Sequence, residues 1–275
     1  MAVTDPAHTG AVTVGVLFDI DGVLVTSWQA IPGAAAALDA VRRRAHPLAF
    51  LTNTTSRTRS EIAASLCAAG MDVTPDEIVT AAGLTAEYLR STYPDARCLL
   101  VNHGDVTEDL PGVRLDDVNP DVVVLGGAGP EFDHDTLSRV VGLMQQGVPV
   151  VAMQGGLSWA TEDGVKIDTG AYLPGLEAAG GGRVTVIGKP APTGFIMAAA
   201  LVGIDPEHAV MIGDDVANDV LAAQYVGFTG VLVRTGKFRQ AAVESASGTP
   251  DHVVDSVADL PALLDALGGE PGAAD

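Results

Sequence analysis

The sequence predicts an α/β protein built on mainly parallel sheet, and three observations carry that expectation. Short apolar, β-branched runs alternate with helix-length segments along most of the chain. Several runs, such as VTVGVLF at 12–18, are continuously apolar, the pattern of strands covered on both faces. Residues 80–182 repeat the alternation on their own, with enough length for a second, inserted unit.

In chain order, residues 1–11 read as a loose leader and Val12 to Phe18 as the first buried strand. Pro32 opens a helix through about Arg44, since proline is tolerated in the first helical turn. Pro47 to Leu51 is a second strand. The helix after it starts near Arg57, with Thr54, Thr55 or Ser56 as its N-cap, and stops at Gly70. In the middle, RCLLV, DVVVLGG and PVVAM are strands and DHDTLSRVVGLMQQG is a helix. Arg183 to Ile187 is a strand assigned to the outer segments. A helix over 193–202 ends at Gly203, Ala209 to Ile212 is a strand, and a helix runs to about Val226. Thr229 to Val233 is a strand and 257–267 a terminal helix, followed by an acidic tail expected to fray. The expected division is therefore 1–79 with 183–275 as one discontinuous unit and 80–182 as the insert.

Composition narrows the function. The 275 residues are 47% hydrophobic, enough for a sizeable core, and carry 35 acidic against 15 basic residues, a formal charge of −20. A nucleic-acid footprint is basic, so DNA and RNA are excluded as expected partners. Such a surface also repels anions, so an anion site must come from local donors and metal. The lysines number three, Lys166, Lys189 and Lys237. Cys67 and Cys98 lie in no CxxC motif and read as buried free thiols. No window has the length of a membrane span, and the first apolar run is broken by Asp19 and preceded by no Lys or Arg. A reducing cytoplasm is the expected location. The histidines show no metal-ligand spacing.

The informative residues stand just past strand ends, where open α/β sheets bind ligands. Asp19 and Asp21 follow the first strand, Thr52 and Asn53 the second, Lys189 the 183–187 run, and Asp214, Asp215 and Asp219 the 209–212 strand. Clustered carboxylates repel unless a cation binds them, and hard oxygen ligands suit Mg²⁺. A hydroxyl, an amide and an ammonium add charge stabilisation for a transferred phosphoryl group. Residues i and i+2 of a strand face the same way, so Asp19 and Asp21 are expected to share one site.

The stretches VLFDIDG, AFLTN, GKP and MIGDDVAND resemble, in order, the four motifs of the haloacid dehalogenase superfamily of phosphotransferases. The resemblance implies a Rossmann-like, doubly wound parallel core with an inserted α/β cap of the C2 type. It further implies that Asp19 is the nucleophile, forming an aspartyl-phosphate and binding Mg²⁺. Asp21 is the general acid and base and a metal ligand through its carbonyl. Thr52, the Asn53 amide and Lys189 hold the phosphate, Asp214 is the third metal ligand, and Asp219 or Asp215 orients metal-bound water. Aspartate at 21 favours a phosphatase over the dehalogenase and transport ATPase branches, which lack it. The insert between Thr52 and Lys189, with IPGA and LTNTTSRTRS, resembles subclass IIA, the NagD and p-nitrophenyl phosphatase group. The C-terminal run MIGDDVANDVLAAQYVGFTGVLVRTGKF looks closest to the phospholysine, phosphohistidine and inorganic-pyrophosphate phosphatases and a sister group.

The substrate implied is a small phosphorylated metabolite, and the cap is a possible homodimer surface. The loop MQGGLSWATEDG, with Gln154 and Trp159, either contacts the leaving group or is a cap surface loop. Two other classes remain as alternatives: a phospho-aspartate signalling module, and a catalytically idle scaffold.

Overall fold

The computed structural model describes residues 14–161 and 164–268. The expected leader, the first two residues of the first expected strand, and the acidic tail lie outside them.

The chain runs through β1 (Gly15–Phe18), a small hairpin of β2 (Val25–Thr26) and β3 (Gln29–Ala30), α1 (Ala34–Arg43), β4 (Leu48–Thr52), α2 (Arg59–Ala68), β5 (Ile78–Thr80) and α3 (Ala81–Thr92). Next come β6 (Arg97–Val101), β7 (Arg114–Leu115), β8 (Val122–Leu125), α4 (His134–Gln145), β9 (Val150–Ala152), the hairpin β10 (Ser158–Thr161) and β11 (Gly164–Ile167), α5 (Leu173–Gly180) and β12 (Val184–Val186). The chain finishes with α6 (Pro192–Val202), β13 (Ala209–Gly213), a π-helical segment at Val216–Leu221, α7 (Ala222–Tyr225), β14 (Thr229–Val233), α8 (Gln240–Glu244), β15 (His252–Val254) and α9 (Leu260–Gly268).

Two parallel sheets result. The larger has six strands in the order β15-β14-β13-β1-β4-β5, and the smaller five in the order β12-β9-β8-β6-β7. β1 is central, flanked by β4 on one side and β13 on the other, so connections diverge at its carboxyl end and open a crevice there. Leu17, Leu51 and Met211 of the larger sheet share one apolar cluster with Val122, Val124 and Val151 of the smaller, through Leu84 and Leu89 of α3 and Phe195 of α6. The helices that carry the chain between the sheets therefore also join them.

Four local expectations are corrected. The run at 183–187 does not enter the larger sheet: Val184–Val186 pairs in parallel with Val150–Ala152. α5 ends at Gly180, and Gly181 turns with φ +75°, leaving a connection too short to bring the strand anywhere but beside β9. The N-cap of α2 is Thr58, not Thr54, Thr55 or Ser56. Its hydroxyl accepts from the Glu61 amide while the Glu61 carboxylate accepts from the Thr58 amide, a reciprocal box that the upstream residues cannot make. Cys98 is buried but Cys67 is exposed, because Ile62, Ala63 and Leu66 already fill the inward stripe of α2. Pro32 also stands outside its helix, which begins after Gly33, a residue at φ +87°.

No helix among the described residues is long and apolar enough to cross a membrane.

Candidate active site

The first strand is extended by one bond: the Asp19 amide donates to the Ile212 carbonyl at 2.9 Å, fixing Asp19 at the tip of β1 beside β13. The Ile20 carbonyl then accepts from the amides of Leu24 and Val25, and Gly22, at φ +84°, closes the turn by donating to Val25 at 2.7 Å. The strand thus ends at Phe18, and the extended geometry that was to align Asp19 with Asp21 stops short. Asp21 lies half-buried in the turn, bridged to Val25.

Four buried side chains converge at this point. The Lys189 ammonium lies 2.5 Å from Asp19 Oδ1 and 2.7 Å from Asp219 Oδ1. Carboxylate oxygens of Asp19, Asp214 and Asp219 all lie within 4.8 Å of one another. β13 places Asp214 directly after Gly213, while the π-helical segment swings Asp219 back. A Cβ at position 213 would overlap Asp219, so glycine permits that return. Asp219 Oδ2 is held by the Asp215 amide at 3.1 Å.

Electrostatics follow from this crowding. Burial, with repulsion from Asp219 and Asp214 and against the attraction of Lys189, raises the Asp19 carboxyl to about 8. Burial and Asp219 raise Asp214 to about 6. Burial opposes the Lys189 charge, but Asp19 and Asp219 outweigh it, and its pKa rises above the ordinary lysine value. For Asp21 burial raises the pKa, opposed by the charges of Lys237, Lys189 and Arg57.

The site fits a hard divalent cation. Asp214 Oδ2 accepts from the Lys237 amide at 2.7 Å, but its buried Oδ1 has no hydrogen-bond partner among the described residues. A buried carboxylate oxygen left bare is costly, and Asp214 stands in a cluster of like charge. The donor set of three carboxylates is that of Mg²⁺ rather than of a soft metal. Gly22 and Gly236, both with positive φ, flank Asp214: a Cβ on either would overlap Oδ2.

The second strand supplies the neutral donors. Thr52 is buried at the end of β4, its hydroxyl donating to Thr54 Oγ1 at 3.0 Å and accepting from the Thr54 amide at 3.1 Å. The Asn53 side chain is engaged elsewhere. Its Nδ2 donates to the Lys189 carbonyl at 2.7 Å and its Oδ1 accepts from the Lys189 amide at 3.0 Å. Gly188 permits this approach, since a Cβ there would stand 2.7 Å from Asn53 Oδ1 and 2.5 Å from the Met153 carbonyl.

The remaining candidates separate. Both Asp215 oxygens are occupied in capping, accepting from Ala217, Asn218 and the Asn218 amide side chain at 3.1, 3.0 and 2.7 Å. Of the two acids, Asp219 is the one in the cluster. Gln154 is buried with its Oε1 turned back to the Gly156 amide. Trp159 is half-exposed on the β10–β11 hairpin, opposite Lys166.

Lys237 was not singled out by sequence reasoning. Its amide holds Asp214, and the charges of Asp19, Asp214 and Asp219 favour its ammonium against the cost of burial. Its rarity as one of three lysines, just past β14, was the available signal.

Loops of the smaller sheet rest on the Thr52 loop. Asn102 Nδ2 donates to the Thr55 carbonyl at 2.9 Å, and Asn102 Oδ1 accepts from the Gly127 amide at 2.7 Å. A Cβ at Gly104 would stand 2.8 Å from Ser56 Cα. Fully buried Asp109 accepts from the Arg59 amide and Nε at 3.0 Å each and from the Thr80 hydroxyl at 2.9 Å.

Comparison with known proteins bears on the family and the fold. A family profile described as haloacid dehalogenase-like hydrolase matches residues 16–115, and a second, HAD-hydrolase-like, matches 186–260. Human haloacid dehalogenase-like hydrolase domain-containing protein 2 is 34% identical over 249 residues, covering 88% of this chain and 95% of that protein. Human phospholysine phosphohistidine inorganic pyrophosphate phosphatase is 33% identical over 256 residues, covering 91% and 93%. Among solved structures, 4-nitrophenylphosphatase from Thermotoga maritima superposes with a TM-score of 0.84 at 25% identity, covering 93% of this chain and 99% of that one. NagD from E. coli K-12 gives 0.80 at 29% identity, covering 90% and 98%.

Proposed function

We propose that this chain, which belongs to the haloacid dehalogenase-like hydrolase family, is a Mg²⁺-dependent phosphatase that hydrolyses a small phosphorylated metabolite through an aspartyl-phosphate on Asp19. The observation that carries the reading is the buried Lys189 ammonium shared by Asp19 and Asp219, beside the unpartnered Asp214 Oδ1.

In this reading an Asp19 oxygen attacks phosphorus, and the bond to the leaving oxygen breaks. Asp21, whose raised pKa favours the protonated form, gives that oxygen its proton. The resulting Asp21 carboxylate then takes a proton from water, which attacks the phosphorus and releases Asp19. Thr52, the Asn53 amide and Lys189 take up charge on the phosphoryl oxygens. Asp19 and Asp214, with the Asp21 carbonyl, would hold Mg²⁺, and Asp219 would stand beside it as an outer carboxylate. When bound, the ion offsets repulsion between Asp19 and the phosphate. Residues about 80–186, which include β12 of the smaller sheet, act as a cap that excludes bulk water and selects the substrate.

A second reading, cleavage of P–N or P–O–P bonds, is favoured by the 33% identity to the human phospholysine, phosphohistidine and pyrophosphate enzyme. Phosphate release from p-nitrophenyl phosphate, phospholysine and pyrophosphate separates the two. Asp19→Asn and chelation are both expected to stop release, and turnover that survives Asp19→Asn removes the covalent reading.

A further inference from the structure

Arg57 lies in the loop that opens with Thr52 and Asn53, yet the chemistry above makes no use of it. Its guanidinium carbon stands 4.5 Å from the centroid of the Trp28 ring, and Nη1 donates to Ser65 Oγ at 3.2 Å. Seven other arginines of this acidic chain have a carboxylate partner. Among the described residues, no carboxylate pairs with Arg57. Stacking on an indole holds a guanidinium flat and leaves its edge free for an oxyanion.

The platform under it is itself unusual. Trp28 and Ser27 form the tip of the β2–β3 hairpin, with φ of +61° and +49°. A bulky side chain rarely adopts that region, and such strain persists where the surroundings impose it, often at functional sites. The hairpin follows Asp21 directly, on the leaving-group side in the reading above. Arg57 is also close enough to act on Asp21: its charge, with those of Lys237 and Lys189, opposes the effect of burial there.

We propose that Arg57, held over Trp28, reads a second anionic group on the substrate's leaving portion. The substrate class is then a small phosphomonoester that also bears a carboxylate or another phosphate. The planar fork of a guanidinium suits either oxyanion, making two parallel hydrogen bonds. The proposal rests on the phosphatase reading.

The test compares matched pairs with Mg²⁺ present: 3-phosphoglycerate against glycerol 3-phosphate, and fructose 1,6-bisphosphate against fructose 1-phosphate. The charged member of at least one pair is expected to be preferred about tenfold in kcat/KM, the size of one charge-assisted contact. Arg57→Ala is expected to collapse that ratio by raising KM for the charged member with little change in kcat. Arg57→Lys, which keeps the charge, is expected to retain part of the ratio, and Trp28→Ala to weaken it. No preference in either pair, or a ratio unchanged in Arg57→Ala, overturns the proposal. If nothing is turned over, the same pairs are titrated calorimetrically into the Mg²⁺-loaded protein. An Arg57-dependent preference in Kd then sustains the proposal while the phosphatase reading falls, and its absence overturns both.

Discussion

The side chain of Asn53 and the main chain of Lys189 grip each other in both directions, one bond of 2.7 Å and one of 3.0 Å across 136 positions of sequence. The pair fixes where the lysine backbone leaves Gly188, and so where its ammonium meets Asp19. Asn53→Ala is expected to cost about 1–3 kcal/mol of stability, as two partly buried hydrogen bonds are lost. It is also expected to lower kcat more than thermal stability alone explains. Asn53→Asp keeps the acceptor but loses the donor, and is expected to fall between. Chemical denaturation and phosphate-release kinetics on the same preparations check this.

Removing the Lys189 charge leaves Asp19 and Asp219 buried without their cation. Lys189→Met is expected to destabilise the metal-free protein by about 3–5 kcal/mol and to abolish turnover. Lys189→Arg is expected not to rescue activity, because a planar fork cannot place one point charge between both acids. Denaturation midpoints and single-turnover assays read the two effects separately.

Gly236→Ala puts a methyl group onto Asp214 Oδ2 and onto a backbone at φ +60°. The strain of the left-handed region alone is worth about 1–2 kcal/mol. The expected result is a folded but less stable protein whose Mg²⁺ requirement rises steeply. Activity measured against Mg²⁺ concentration tests it.

The raised carboxyls predict a metal effect that grows with pH. Asp19 at about 8 and Asp214 at about 6 lie above their ordinary value of 3.8. Groups shifted upward stabilise the fold fully below the ordinary value, and that contribution is lost as pH rises through 6 and then 8. The melting temperature of the metal-free protein is therefore expected to fall between pH 5 and pH 9. Added Mg²⁺ competes with those protons, so its stabilising increment is expected to be larger at pH 9 than at pH 5. Asp214→Asn is expected to flatten both trends, and a melting temperature indifferent to Mg²⁺ at pH 9 sinks the metal assignment.

Much of the site was legible because its residues contradict their surroundings: carboxylates at the tip of a buried strand serve no packing purpose. What remained hidden was set by partners rather than by local pattern. Val184–Val186 has the composition of a strand of either sheet, and only the short link from α5 decides which. Thr54, Thr55, Ser56 and Thr58 all have capping side chains, and Glu61 selects the last. Asp215 and Asp219 look alike in sequence, but the π-helical segment turns one into the cluster and leaves the other capping its own turn. Arg57 and Trp28 stand 29 positions apart and meet only because a hairpin and a loop share the same rim.

The Asn102 contact is made to the carbonyl of Thr55 and not to its hydroxyl. A main-chain acceptor is the same whichever amino acid carries it. Position 55 is thus free to drift in evolution, retuning what the crevice admits, without unseating the smaller sheet. Asn102, by contrast, has no such latitude, because the same amide group must also receive the Gly127 N–H.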